Sequence, residues 1–449
     1  MKKKISVFIK SKNSSYNKEI DGRKFPDKSI THRAYILASQ CLGISKIKGL
    51  NSDDIKTTIT ALKKLGIKII CKKKLNYVYG NGVSGFKRFR GTLNFENSGT
   101  GARSFLGILT CYPYKINITG DKSLKLRPFK RLTNFLENIG AKITHPKDKK
   151  VNLPIKICGT KDWALAQKHE IKIKSAQIST AIIYAALQTK GITEIIESSE
   201  TRDHTQRFLK SLKAGIVVKK IKKKRITKIK GQVEMQNFSI SVPADPSSCC
   251  FLVVQTLLSK KSSLIIKNVC VNETRIGFIK ILKKMGGKIR IQNKKKYFGE
   301  TIADLHIKSS NLKGIKCPAD LIVKSIDDLP IIWIACALAK GNSYFKNLSE
   351  LRLKESDRVK CISESLTKLG VKNYTSKNSL KIIGNPNLKP RKNIKILSNH
   401  DHRVAMTNFI AGSVIGSNIL IKGFETVSSS FPNFLKLQKN LGAKYEVRK

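Results

Sequence analysis

Hydrophobic residues along this chain recur with the spacing of amphipathic helices, and six of these helical stretches end at a glycine. A short basic run rich in β-branched residues follows each glycine and predicts a strand. Glycine is typical of a helix C-terminus, because it adopts a left-handed backbone conformation without a Cβ clash. A spacing of roughly 70–85 residues between these steps indicates an internal repeat. The six steps are Leu65-Gly66, Ile139-Gly140, Ala214-Gly215, Met285-Gly286, Leu369-Gly370 and Leu441-Gly442.

Another short strand is predicted ahead of each of these helices. The chain is therefore predicted to contain six copies of one α/β unit, with a further strand at Ile5–Ile9 joining the later copies. The six preceding strands are predicted at Ile44–Leu50, Lys115–Thr119, Ile192–Ile196, Leu264–Val269, Ser343–Leu348 and Ile419–Gly423.

The chain has 449 residues, more than one hydrophobic core usually organises, so we predict two domains of three units each. The first domain is predicted at residues 23–242, and the second combines residues 1–22 with residues 243–449. A hydrophobic content of 40% is enough to bury two cores. The longest apolar run, Leu329 to Ala339, is too short to span a bilayer.

The formal net charge of +58 would normally indicate a nucleic-acid-binding protein. The lysines are spread over every segment, however, together with abundant isoleucine and asparagine, as an A+T-biased coding sequence would produce. The Lys-rich stretch Lys219–Lys230 is predicted to be a solvated hairpin rather than a binding patch. A charge selected to bind polyanions remains the alternative interpretation. The ten cysteines contain no Cys-x-x-Cys pair, which favours a reducing environment without structural zinc.

Polar segments that contain glycine, hydroxyl and basic residues stand directly before the predicted apolar helices. Asp27–Arg33, for example, precedes a helix predicted at Ala34–Cys41. Each charged residue alone is explained by a helix cap or a solvated charge. Cations nevertheless accumulate at these N-termini, where the helix dipole disfavours them, so we expect an anionic ligand there. The other segments are Asn97–Arg103, Gly120–Pro128, Lys174–Gln177, Glu200–Thr205, Ser325–Pro330, Glu350–Arg358 and Asn399–Arg403.

These segments resemble the motifs of the 5-enolpyruvylshikimate-3-phosphate synthase family, in the family's order and from end to end of the chain. Lys354–Arg358 and Asp401–Met406 are specific strings, whereas the glycine-rich segment alone is a weak signal. The resemblance implies a two-domain inverted α/β barrel of six βαβαββ units, three per domain. It also implies that the first domain mainly binds shikimate 3-phosphate, while the second carries the base and much of the phosphoenolpyruvate site.

The resemblance further implies that the two substrates meet between the domains. Arginine predominates among the implied ligands, which suits bidentate recognition of phosphate and carboxylate groups. The implied ligands of shikimate 3-phosphate are Lys28, Ser29, Arg33, Ser175, Ala176, Gln177, Arg202, Asp327 and Lys354. The implied ligands of phosphoenolpyruvate are Lys28, Gly99, Arg127, Gln177, Arg358 and Arg403.

The activity implied by the resemblance is transfer of the carboxyvinyl group of phosphoenolpyruvate to the 5-hydroxyl of shikimate 3-phosphate, the sixth step of the shikimate pathway to chorismate. Asp327 is the implied base for that hydroxyl, and Glu355 or Lys28 would supply a proton to C3 of phosphoenolpyruvate. The tetrahedral addition product then eliminates phosphate, without a metal or organic cofactor. The resemblance also implies a cytoplasmic monomer that binds these two small molecules and neither nucleic acid nor a membrane.

Two positions depart from the family's pattern. Pro26 stands where a small residue is usual, and the serines at 428–430 occupy a segment where one version of the family has a phosphoenolpyruvate-contacting lysine. The related enolpyruvyl transferase that acts on UDP-N-acetylglucosamine is the nearest competing interpretation. That family lacks the Lys354–Arg358 string and usually has a reactive loop cysteine, whereas Cys111 is predicted to be buried. The sequence also leaves open a nucleic-acid-binding or structural protein and a decayed enzyme retained for binding.

Overall fold

A computed structural model of the chain describes residues 4–10, 15–72, 75–148, 152–160, 164–222 and 224–448. Strands β1 to β23, in chain order, are Ser6–Ile9, Asn17–Asp21, Leu42–Lys48, Lys68–Lys72, Leu75–Asn81, Gly91–Asn94, Lys115–Thr119, Lys142–Thr144, Ile155–Cys158, Lys168–Ile171, Ile192–Glu197, Ile216–Ile221, Lys224–Lys230, Ser239–Ser241, Ser263–Cys270, Lys288–Tyr297, Glu300–Lys308, Gly341–Lys346, Asn373–Thr375, Ser379–Gly384, Ile394–Leu397, Ile419–Lys422 and Tyr445–Arg448. Helices α1 to α14 are Lys28–Ser39, Asp53–Lys64, Gly99–Leu109, Lys122–Leu126, Lys130–Ile139, Ala176–Ala186, His204–Ser211, Pro246–Leu258, Gly277–Lys284, Ala319–Lys324, Leu329–Ala337, Arg358–Lys368, His402–Ile415 and Phe434–Asn440.

The predicted glycine caps are confirmed at all six positions. Each of these glycines has a positive φ angle, from 60° at Gly215 to 123° at Gly140, and each follows a helix that ends within the preceding few residues. A side chain is strained in this backbone region, so glycine is favoured there. The six strands predicted ahead of the helices are also present, with bounds shifted by a few residues.

The repeated unit is a βαβαββ arrangement whose four strands form one sheet. Strands β6, β7, β8 and β9 pair in the order β6-β7-β9-β8, and β10 to β13 pair in the same pattern. In both sheets the first two strands are parallel, as a helical crossover requires, and the remaining pairs are antiparallel. The N-terminal strand β1 lies between β22 and β23, which confirms that it joins a later copy.

The chain forms two compact lobes. We call Asp27–Val242 together with Lys296–Glu300 lobe 1, and Met1–Pro26, Pro243–Lys295 and Thr301–Lys449 together lobe 2. In lobe 2, every residue of α11 and α13 is buried, including Trp333 in α11. In lobe 1, α1, α3 and α6 are buried along nearly their whole lengths. Each lobe therefore keeps its most apolar helices inside, because a helix that is hydrophobic on all sides needs cover on all sides.

Two local predictions are wrong in part. Helix α1 begins at Lys28 and not at Ala34, so the polar residues before Ala34 form its first turns. The Lys-rich stretch does form the hairpin of β12 and β13, although its residue 223 lies outside the described residues. Strand β13 is not simply solvated, because Arg225 and alternate residues after it are buried. None of the described helices combines the length and apolar character that a membrane crossing needs.

Candidate active site

In lobe 1, the N-terminus of α1 holds a lysine in an ion pair. Asp27 caps the helix by accepting a hydrogen bond from Ile30 N at 2.8 Å. The Lys28 ammonium group donates to Asp54 Oδ2 at 2.8 Å, and both side chains are largely buried. Ser29 follows in the same first turn. The ion pair fixes the Lys28 ammonium at a helix N-terminus, which favours an anionic ligand.

One turn further along α1, Arg33 is buried against hydroxyl and carbonyl oxygens. Its Nε donates to Thr205 Oγ1 at 2.7 Å, its Nη2 to Thr180 Oγ1 at 2.9 Å and its Nη1 to the Ser29 carbonyl at 2.8 Å. These bonds join α1 to α6 and α7. Burial, with Lys28 and Arg33 acting in the same direction, lowers the pKa of His32 well below its usual value. Burial and these two cations therefore all disfavour a positive charge on His32.

The glycine-rich segment places Gly99 between two guanidinium groups. Arg127 donates to Asn97 Oδ1 at 2.7 Å and to the Asn97 carbonyl at 3.3 Å, and Arg103 donates to the Pro128 carbonyl at 3.0 Å. A Cβ atom at position 99 would lie 2.8 Å from Arg103 Nη1 and 3.1 Å from Arg127 Nη1. Glycine at this position therefore lets both arginines approach the N-terminal backbone of α3.

Ser175 occupies the N-cap position of α6, and Ala176 and Gln177 form its first turn. Gln177 Nε2 donates to Thr100 Oγ1 at 3.2 Å, which connects the starts of α6 and α3. Arg202 is partly exposed in the segment between β11 and α7. The predicted lobe 1 residues thus lie at the N-termini of central helices or in the segments just before other helices.

A buried ion pair anchors the segment that carries Arg202. Arg225 donates to both carboxylate oxygens of Glu197, at 2.8 and 2.7 Å, and to the Thr201 carbonyl at 2.9 Å. Ser179 on α6 donates to the same carboxylate at 3.2 Å. Glu197 and Arg225 are 28 residues apart in the sequence, so no local pattern pointed to this pair.

In lobe 2, three carboxylates surround the guanidinium group of Arg358. Its Nη1 donates to Asp327 Oδ1 at 2.9 Å, its Nη2 to Glu355 Oε2 at 2.5 Å and its Nε to Asp401 Oδ2 at 2.8 Å. Burial alone would lower the pKa of Arg358, but Asp401, Glu355 and Asp327 outweigh burial and raise it. The guanidinium stays charged, and the structure brings Asp327, Glu355 and Arg358 together as a cluster.

Asp401 links this cluster to the start of α13. It accepts a hydrogen bond from Arg403 N at 2.8 Å as the helix cap, and it also accepts one from the Ser356 hydroxyl at 3.0 Å. Lys354, half-buried, lies two residues before Ser356. Asp401 is completely buried, so these partners and Arg358 replace the water that would otherwise solvate its carboxylate.

Arg403 is buried in different surroundings. Its Nη1 lies 3.7 Å from Asp328 Oδ1, and its Nε and Nη1 have no hydrogen-bond partner among the described residues. The guanidinium carbon stands 5.9 Å from the centre of the Phe251 ring. Burial raises the pKa of Asp328 to about 6, and its neighbour Asp327 acts in the same direction, while Arg403 opposes the shift. Donors of Arg403 therefore remain for a ligand.

The segment of three serines contributes no charge near Arg403. Ser429 is buried, and its hydroxyl lies 3.4 Å from His402 Nδ1. Cys111, predicted to be buried, is partly buried in the structure. Burial raises the pKa of its thiol to about 11, although a hydrogen bond with Thr189 opposes this. The thiol of Cys111 is therefore protonated at neutral pH and a poor nucleophile.

The sequence did not predict that Arg103, Asp328, Glu197 and Arg225 contribute to the candidate site. Asp328 stands beside the predicted base Asp327, and Arg103 lies in the same polar segment as Gly99, which was the available signal. The burial of Asp328 follows from tertiary packing and could not be read from its neighbours in the chain.

The fold resembles that of solved enolpyruvyl transferases. The enolpyruvyl transferase NikO from Streptomyces tendae superposes with a TM-score of 0.75 at 12% sequence identity, covering 99% of each chain. At this identity the likeness concerns the fold alone, a two-domain α/β architecture.

Closer similarity identifies the family. The profile of EPSP synthase (3-phosphoshikimate 1-carboxyvinyltransferase) matches residues 15–437. The 3-phosphoshikimate 1-carboxyvinyltransferase of Ruthia magnifica subsp. Calyptogena magnifica is 38% identical over 418 residues, which are 93% of this chain and 94% of that protein. The EPSP synthase structure from Acinetobacter baumannii has a TM-score of 0.85 at 32% identity, over 99% of this chain and 100% of the other. The chain belongs to the EPSP synthase family, and the predicted family, fold class and enzymatic activity are confirmed.

Proposed function

We propose that the chain transfers the carboxyvinyl group of phosphoenolpyruvate to the 5-hydroxyl of shikimate 3-phosphate, with release of phosphate, through the residues described above. Family membership over nearly the whole chain supports the reaction. The main structural support for the assignment of residues is the cluster around Arg358, in which Asp327 and Glu355 accept hydrogen bonds from one buried guanidinium group.

Asp327 acts as the general base. Its hydrogen bond with Arg358 favours the ionised carboxylate, which can accept the proton of the substrate hydroxyl. The hydroxyl oxygen then attacks C2 of phosphoenolpyruvate, and Glu355 or Lys28 delivers a proton to C3. The tetrahedral adduct loses a proton from C3 and expels phosphate, so the C–O bond of the phosphate breaks and the carboxyvinyl group remains on the new oxygen.

Binding of the two substrates is proposed to fall on two overlapping sets of residues. Together the substrates carry two phosphates and two carboxylates, roughly five negative charges. The proposed shikimate 3-phosphate set is Lys28, Ser29, Arg33, Ser175, Ala176, Gln177, Arg202, Asp327 and Lys354. The proposed phosphoenolpyruvate set is Lys28, Gly99, Arg127, Gln177, Arg358 and Arg403.

The two lobes are proposed to supply different parts of the substrate-binding and catalytic residues. Lobe 1 supplies most of the shikimate 3-phosphate set, and lobe 2 supplies the base and much of the phosphoenolpyruvate set. Arg403 supports the second assignment, because its buried Nε and Nη1 lack hydrogen-bond partners among the described residues. An anionic ligand would satisfy such donors.

We also propose that the protein works as a cytoplasmic monomer on these small molecules, without nucleic acid, membrane or added cofactor. The reaction moves protons and a carboxyvinyl group between two substrates, so its chemistry balances without a redox or carrier group. Thiols such as those of Cys41 and Cys336 are not in disulfides, which supports a reducing compartment.

Phosphate release tests the proposal. The purified protein should release phosphate from phosphoenolpyruvate only when shikimate 3-phosphate is added, and the product should carry the carboxyvinyl group. A parallel reaction with UDP-N-acetylglucosamine in place of shikimate 3-phosphate tests the related transferase activity. Phosphate release with the nucleotide sugar, or none with shikimate 3-phosphate, would overturn the proposal.

A further inference from the structure

The unusual group near the proposed phosphoenolpyruvate site is Asp328, the neighbour of the proposed base. Its side chain is almost fully buried, and neither carboxylate oxygen has a direct hydrogen-bond partner among the described residues. Its ion-pair partner is Arg403 Nη1, at 3.7 Å, a separation too long for a hydrogen bond. A buried carboxylate held this loosely is costly to keep ionised.

The groups around Asp328 divide into two opposing sets. Arg403 on α13 and Arg275, which precedes α9, favour the ionised carboxylate, as does the nearby Ser247 hydroxyl on α8, although its geometry falls short of a hydrogen bond. Arg275 is itself paired with Asp245, at 3.1 Å. Burial and the neighbouring Asp327 favour the protonated form, and burial is the largest influence.

Cys250 on α8 also faces Asp328. Burial, followed by Asp328, raises the pKa of the Cys250 thiol well above its usual value, so that thiol stays neutral. Arg358 directs its donors to Asp327, Glu355 and Asp401. Arg403 is thus the side chain that links Asp328 to an incoming anion.

We propose that Asp328 is a proton-linked counter-ion of Arg403, which takes up a proton from solvent when phosphoenolpyruvate binds and returns it when the site empties. The proposal rests on the proposed role of Arg403 in binding phosphoenolpyruvate. An anion on Arg403 replaces Asp328 as the partner of that guanidinium and adds negative charge beside a buried carboxylate. Both changes favour protonation of Asp328, because like charges at close range in a poorly solvated site disfavour ionisation.

Linkage gives the direction of the effect. Because phosphoenolpyruvate favours the protonated form of Asp328, protonation must favour phosphoenolpyruvate equally. Apparent affinity should therefore fall as the pH rises and Asp328 ionises in the free enzyme. Removing the carboxyl group should remove this dependence and tighten binding at alkaline pH.

The experiment is the pH profile of KM for phosphoenolpyruvate at saturating shikimate 3-phosphate, for the wild-type protein and Asp328→Asn. The ratio of wild-type to variant KM should be near one at pH 5.5 and rise to roughly tenfold at pH 8, the size expected for a charge a few ångströms from a ligand charge. Ionisation of the substrate phosphate affects both proteins alike, so it cancels in the ratio.

Asp320→Asn is the matched control, because Asp320 is an exposed carboxylate in the same lobe. Its profile should follow the wild-type curve. Asp328→Ala removes the same titrating group with a smaller side chain, so the test stands if either variant folds. A ratio that stays constant over this pH range, or weaker binding in the variants at every pH, would overturn the proposal.

The outcomes also separate this inference from the proposed function. If Arg403→Ala leaves KM for phosphoenolpyruvate unchanged, the assignment of Arg403 to that substrate fails. If Arg403→Ala weakens binding and the Asp328 variants follow the wild-type profile, only the counter-ion role of Asp328 fails.

Discussion

Arg358 and Arg403 stand at the starts of successive helices of lobe 2, α12 and α13, yet their guanidinium groups have different surroundings. Arg358 donates to three carboxylates at 2.5–2.9 Å. Arg403 has one carboxylate neighbour, at 3.7 Å, and buried N–H groups without hydrogen-bond partners among the described residues.

The comparison indicates two uses of a buried arginine. A guanidinium with several carboxylates organises the protein itself, and it can hold catalytic carboxyl groups in place. A guanidinium with incomplete hydrogen bonding costs stability in the free protein and recovers that cost when an anion binds. Asp401 connects the two, since it pairs with Arg358 and caps the helix that carries Arg403.

The largest effect is expected when the proposed base is removed from the Arg358 cluster. Asp327→Ala should lower kcat by roughly 10²–10⁴-fold, the usual contribution of a general base, or several kcal/mol in the transition state. KM for phosphoenolpyruvate should change little. Steady-state kinetics with both substrates checks this, and near-normal turnover would exclude Asp327 as the base.

Removing Arg358 should lower stability as well as weaken phosphoenolpyruvate binding. Arg358→Ala leaves the buried Asp401 without its counter-ion, so the free energy of unfolding should fall by about 3–5 kcal/mol. Arg352→Ala is the matched control, because Arg352 pairs with Asp357 at a partly exposed position and should cost at most about 1 kcal/mol. Denaturant unfolding at neutral pH compares them. Equal losses would contradict the structural role of Arg358.

Removing Arg403 or Arg127 should chiefly affect binding. Each alanine variant should weaken phosphoenolpyruvate binding by roughly 2–5 kcal/mol, the scale for losing a buried charge partner, and so raise its KM strongly. Initial rates against phosphoenolpyruvate concentration give that value. An unchanged KM would place the substituted arginine outside the site.

The smallest effect concerns the pH dependence of stability at Asp328. Its pKa, raised by burial from 3.8 to about 6, means that the folded protein binds a proton more tightly than the unfolded chain. Stability from this group is complete below pH 4 and is lost as the pH rises through 6. Asp328→Asn should therefore match the wild type at low pH and exceed it by up to about 3 kcal/mol at pH 8. Unfolding at both pH values measures this difference, and a less stable variant at pH 8 would contradict it.

The repeated architecture could be predicted because its signals are local. A glycine such as Gly66 or Gly370 ends a helix through its own backbone conformation, and the periodicity before it marks the buried face. The polar segments before the helices could also be recognised in the sequence. Their resemblance to the motifs of the EPSP synthase family identified the substrate-binding residues that we propose.

The remaining features depend on contacts between distant parts of the chain. The start of α1 at Lys28 could not be predicted, because its polar first turns are satisfied by Asp54 and Thr58 on α2. Arg225 lies in a Lys-rich hairpin that the sequence predicts to be exposed to solvent, and its partner Glu197 is on another strand. The difference between Arg358 and Arg403 likewise arises from folding, since both stand in similar charged strings of sequence.

The most direct test of this difference is the free energy of unfolding of Arg403→Ala, measured with and without phosphoenolpyruvate in the presence of shikimate 3-phosphate. A ligand that binds only the folded state adds stability that grows with the logarithm of one plus the ratio of its concentration to its Kd. We predict that phosphoenolpyruvate stabilises the wild type but no longer stabilises the variant, in addition to any stability that the variant loses because the buried Asp328 is left without its ion-pair partner. Stabilisation by phosphoenolpyruvate equal to that of the wild type would contradict the role of Arg403 as a ligand-binding arginine.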